Sequence, residues 1–88
     1  MKLMIIIVRD EDNEAIVQEL VRSKYRITRM SSTGGFLRRG SSTLLVGVED
    51  EDVQPVIELL KKACPPADGD NQYRATAFVV NMNAQYKI

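Results

Sequence analysis

Residues 31–47, from Ser31 to Gly47, read SSTGGFLRRGSSTLLVG. The stretch has two halves, a polar, glycine-bearing connection as far as Gly40 and then an apolar run. The apolar run predicts a strand over Ser42–Val48. Thr43, Leu44, Leu45, Val46 and Val48 leave it no polar face, so it is expected to lie centrally in a sheet, covered on both sides. Gly47 interrupts the run, and a glycine inside a strand marks a place where another backbone or a ligand comes close. In the connection, Gly34 and Gly35 can take positive φ and admit a near neighbour. The serine and threonine hydroxyls and the guanidinium groups of Arg38 and Arg39 add donors and fixed positive charge. Two readings stand side by side. One is a hairpin connection with Phe36 covering a core edge, the commoner case for glycine-rich turns. The other is a cradle for a phosphate-bearing ligand with a flat base, against which Phe36 would pack.

Working outward, Tyr25–Ser32 is a strand of lower apolarity and therefore an edge strand. Arg26 and Thr28 are two apart and project from one of its faces, which suits either a solvated edge or a ligand-facing pair. Lys2–Arg9 is a second two-sided apolar strand, with Leu3, Ile5 and Ile7 on one parity and Met4, Ile6 and Val8 on the other. Between these strands, Asp10, Glu11 and Asp12 open a helix that runs to about Ser23, where the backbone dipole favours acid. Its apolar stripe is Ile16, Val17, Leu20 and Val21.

Downstream of residue 47, Glu49, Asp50, Glu51 and Asp52 start a second helix, with Asp50 or Asp52 expected as cap. Pro55 falls in its first turn, where a missing amide hydrogen costs little. Val53, Val56, Ile57, Leu60 and Ala63 form its buried stripe, and Pro65-Pro66 stops it. A short polar segment, PPADGDNQ (Pro65–Gln72), leads to a fourth strand over Tyr73–Met82. Thr76, Phe78, Val80 and Met82 share one face of that strand, and Ala75, Ala77 and Val79 share the other. The tail carries Tyr86 and ends on Ile88, which predicts docking.

The order β-α-β-β-α-β predicts an α+β, ferredoxin-like fold, an antiparallel sheet with both helices on one face. Right-handed crossovers put the first and third strands in the middle, as their two-sided apolarity requires. The helix-free face is apolar too, so other copies of the chain are expected to cover it.

At 88 residues the chain is read as a single domain over 1–88, with a core that oligomerisation would help to stabilise. The 12 basic residues balance the 12 acidic ones, so no global field steers the protein to nucleic acid or to a membrane. Cys64 is the only cysteine and histidine is absent, which argues against an intrachain disulfide, a zinc site or a Cys-His nucleophile. The apolar start MKLMIIIV runs into Arg9-Asp10-Glu11-Asp12 with no small-residue cleavage site, and no stretch reaches membrane-spanning length. A cytoplasmic location is expected.

Three segments carry a family resemblance: KLMIIIVRDED, then YRITRMSSTGGFLRRGSSTLLVGVEDEDV, then ATAFVV. Together they resemble the PII-like cyclic-di-AMP receptor proteins over most of the chain, most closely at Thr33 to Arg38 with Gly40 and at Leu44 to Val48. The resemblance implies a homotrimer of ferredoxin-like subunits with ligand clefts between them. It also implies a bacterial signalling role that relays cyclic-di-AMP levels to a downstream protein, without catalysis, cofactor or metal. On this resemblance, Arg26 and Thr28 match polar ligand contacts of the second strand. Gly35, Phe36 and Leu37 match the segment that closes on an adenine. Gly47 matches a backbone contact of the third strand, and Phe78 matches an aromatic bordering the pocket. Ser41 stands where the family usually has asparagine. One departure is large: family members have a long glycine- and tyrosine-bearing loop where this chain has only Pro65–Gln72. That leaves a second reading, a trimeric regulatory platform that takes another adenine nucleotide or no ligand.

Enzymatic chemistry is the weaker class, since no nucleophile and base are paired and the acids sit at helix starts. RNA binding through the sheet is also weak, because its strands offer isoleucine and leucine where stacking would need exposed aromatics.

Overall fold

The computed structural model describes residues 1–30, 40–64, 75–86 and 88. The chain runs β1 (Lys2–Arg9), α1 (Asp10–Arg22), β2 (Ile27–Met30), β3 (Ser41–Val48), a 3-10 turn (Asp50–Asp52), α2 (Val53–Ala63) and β4 (Ala75–Asn81). The four strands form one sheet in the order β2-β3-β1-β4, and every neighbouring pair is antiparallel. This is the expected ferredoxin-like arrangement, with the two most apolar strands in the centre and the less apolar ones at the edges.

Strand parity divides the residues between two faces. Met4, Ile6 and Val8 of β1 lie opposite Val46, Leu44 and Ser42 of β3. Together with Ile16, Val17 and Leu20 of α1 and Val56 and Leu60 of α2, the apolar members of that set make the core. Both helices therefore cover the even-numbered face of β1. Burying each such aliphatic side chain contributes about 1.5–3 kcal/mol.

The opposite face carries Leu3, Ile5 and Ile7 of β1 and Leu45 of β3, which are only half-buried. At its margins Phe78 is 51% and Val80 42% exposed. No helix covers this face.

The helices differ in detail from expectation. Arg9, with extended backbone, occupies the N-cap of α1, and no side chain caps the helix. Asp10, Glu11 and Asp12 lie inside the first turn, so they act on the dipole rather than as caps. The Asp10 N–H instead donates to the Gly40 carbonyl at 2.8 Å, and the Ser42 hydroxyl donates to Asp10 Oδ1 at 2.6 Å. Asp52 occupies the N-cap of α2 without a side-chain cap bond. Val21, expected in the buried stripe, is 59% exposed, outside a stripe that runs through Asp12, Ile16, Val17 and Leu20. At the end of the tail Tyr86 and Ile88, expected to dock, are exposed, whereas at its start the Met82 N–H donates to the Met1 carbonyl at 3.1 Å.

Candidate functional site

A groove of about 300 Å³ opens at the edge of the helix-free face. Its floor is the sheet. Leu3 comes from β1, Leu45 and Gly47 from β3, and Thr28 from β2. The pairing explains why these residues meet: Leu3 lies opposite Gly47, and Thr28 lies opposite Leu45, all on the sheet face turned away from the helices. Arg26 shares the parity of Thr28 just before β2 begins, and it lines the same groove.

The turn from α1 into β2 makes one wall. Three backbone bonds close it. Ser23 N–H donates to the Glu19 carbonyl at 3.0 Å, Lys24 N–H to that of Val21 at 2.9 Å, and Tyr25 N–H to that of Leu20 at 3.0 Å. The last is the six-to-one bond of a Schellman turn, which needs a left-handed residue just past the helix. Here that residue is Lys24, with φ of 69°. Lys24 and Tyr25 both line the groove. Burial raises the Tyr25 phenol above its ordinary value of 10.0, and the nearby Asp52 carboxylate pushes in the same direction.

The other wall is the tail after β4, which contributes Met82 and Gln85. Met82 packs toward Gly47, where a Cβ would stand 3.4 Å from Met82 Cε.

Among the described residues the lining contains Lys24 and Arg26 and no carboxylate. Arg29, by contrast, sits on the helix side of β2 and pairs with Glu14 of α1 at 3.2 Å. Alternation along one short strand thus sends one arginine to an ion pair and another to an uncompensated groove. The groove suits an anion with an apolar part that rests on Leu3 and Leu45.

The expected site residues separate into three groups. Arg26, Thr28 and Gly47 come together in the groove. Ser41 lies six residues from Gly47 at the other end of β3, about 20 Å away at strand rise, and pairs with Arg9 of β1. Phe78 stands in the same cross-strand row as Thr28, through Leu45 and Ile5, but on the far edge of the sheet. Three strand spacings, about 14 Å, separate the two. Gly35, Phe36 and Leu37 lie outside the described residues. Lys24, Tyr25, Met82 and Gln85 are groove residues that the sequence did not single out.

A family model described as cyclic-di-AMP receptor matches residues 1–77. Among solved structures, a protein from Pediococcus pentosaceus ATCC 25745, described as functionally unknown, is 30% identical to this chain and superposes with a TM-score of 0.76. The match covers 99% of this chain and 96% of that one.

Proposed function

The chain belongs to the cyclic-di-AMP receptor family, and from that premise we propose that it binds cyclic-di-AMP without turning it over and passes the signal to a protein partner. The ligand lies in clefts between three copies of the chain. The observation that carries this reading is the meeting of Arg26, Thr28 and Gly47 in one groove with basic side chains and no acid in its lining. Arg26 holds a phosphate by charge-assisted hydrogen bonds, Thr28 supplies a hydroxyl, and Gly47 lets the ligand approach the backbone. The groove of one subunit lies at the small end for a ligand site, which supports a second wall from a neighbouring copy.

The uncovered sheet face supports the trimer. Ile5, Ile7 and Leu45 are half-buried and Phe78 and Val80 exposed, a contiguous apolar surface of the kind other copies cover. Packing β4 of one copy beside β2 of the next would bring Phe78 to the groove it cannot reach within its own chain. The family resemblance assigns to Ser41 and the 35–37 segment the part of enclosing the base. The family model is that of a receptor, which supports sensing over turnover.

Calorimetric titration with cyclic-di-AMP, cyclic-di-GMP, ATP and AMP, with light scattering on the same sample, tests both parts. Saturable cyclic-di-AMP binding by a trimer is expected, and a stable monomer at micromolar concentration would sink the intersubunit cleft. The short Pro65–Gln72 segment favours one competing reading, a trimeric platform that takes another adenine nucleotide or none. A trimer that binds only AMP or ATP, or nothing in the panel, would establish it.

A further inference from the structure

We propose that Lys24 is a second anion-binding residue of the groove, placed there by a backbone conformation that weakens the fold. The inference rests on the cyclic-di-AMP reading and deepens it by assigning the second cation. Lys24 has φ of 69°, in the left-handed region that side chains with a Cβ avoid. The position just past a helix in this turn is ordinarily glycine, sometimes asparagine. A lysine there is strained, and nothing in the turn needs its side chain, since the closing bonds are all backbone.

What the residue does have is a place in the lining, beside Arg26 and Thr28. Arg9, Arg22, Arg29 and Lys61 each pair with a carboxylate. Lys24 and Arg26 form no ion pair among the described residues. Two cations two positions apart, at one groove with no acid in its lining, match a ligand that carries two phosphate charges. Strain of this kind persists where a site requires it.

The test separates fold from site by giving them opposite signs. Lys24→Gly relieves the strain, so Tm rises by a few degrees. The same change removes a charge, so the calorimetric Kd for cyclic-di-AMP rises roughly tenfold and depends less steeply on salt. Lys24→Asn tolerates the left-handed backbone without the charge and weakens binding similarly. Lys24→Arg keeps the charge and stays within a few-fold of wild type. A Lys24→Gly protein that binds cyclic-di-AMP as tightly as a binding-competent wild type overturns the inference and leaves the functional reading standing. A wild type that binds no cyclic dinucleotide overturns both.

Discussion

Gly47 and Met82 meet at the foot of the groove, with room for a Cβ on Gly47 at 3.4 Å from the Met82 methyl. That distance is ordinary contact with the flexible end of a side chain, so Gly47→Ala is expected to fold with a stability change within about 0.5 kcal/mol. The added methyl instead fills the floor where the ligand would approach the strand. Cyclic-di-AMP affinity should fall by roughly tenfold, or about 1.4 kcal/mol. Calorimetry and thermal melts on one preparation check both halves, and unchanged affinity would remove Gly47 from the site.

Arg26 and Arg29 make a matched pair for a charge test, because strand alternation sends them to opposite faces. Arg26→Ala should cost about 1.5–3 kcal/mol of binding, the range for a charge-assisted hydrogen bond. Arg29→Ala removes an exposed ion pair with Glu14 and should change stability by no more than about 1 kcal/mol and binding hardly at all. Equal losses of affinity in the two variants would point to a diffuse electrostatic effect rather than to a contact.

Thr43 is 4% exposed, and its Oγ1 is buried without a hydrogen-bond partner among the described residues. A buried hydroxyl left unsatisfied is costly, and valine has nearly the same shape. Thr43→Val should therefore raise unfolding free energy by about 1 kcal/mol, read from denaturant midpoints at constant m. A loss of stability would mean that another subunit or the ligand satisfies the hydroxyl.

Tyr25 gives stability a pH dependence at the alkaline end. Its phenol is raised above 10.0 by burial and then by Asp52, so the folded state holds that proton more tightly than the unfolded state. Below pH 10.0 the contribution is complete. Above that pH the unfolded phenol ionises first, and the contribution is lost as pH climbs through the folded value. The difference in Tm between wild type and Tyr25→Phe should shift against wild type between neutral pH and strongly alkaline pH. A pH-independent difference would show that the phenol is not held.

Much of this fold was legible because its two central strands carry apolar residues on both parities. Lys2–Arg9 and the Leu44–Val48 run could only be central, which left Ile27–Met30 and Ala75–Asn81 for the edges. Val21 was misread because helical spacing alone places it beside Val17 and Leu20. How wide the buried stripe of α1 is depends on what packs against it, a tertiary fact that no period contains. In the groove, Arg26 and Thr28 follow from alternation, and Gly47 stood out as a glycine inside an apolar strand. Lys24 gave no such signal, since a left-handed φ belongs to the backbone and a lysine does not advertise it. Its position offered the one hint, between the last helical residue and the first of the strand, where the chain must reverse. Met82 and Gln85 were hidden for another reason: the tail reaches the groove only because β4 pairs with β1 and delivers it there.

That same pairing sets the order in which the molecule can be completed. Lys2–Arg9 is flanked by Ser41–Val48 on one side and by Ala75–Asn81, the strand most distant from it in sequence, on the other. One edge of β1 thus waits for a strand far along the chain, its backbone donors and acceptors unpaired on that side until then. Closing a loop of that length costs entropy before any contact repays it, which makes for slow folding and a long exposure of aggregation-prone surface. A chain cut before Ala75 should show little cooperative unfolding by circular dichroism. A nascent chain thus cannot pair β1 on both edges until Ala75–Asn81 has been made, and a chaperone that shields β1 during that interval would raise the yield of folded protein.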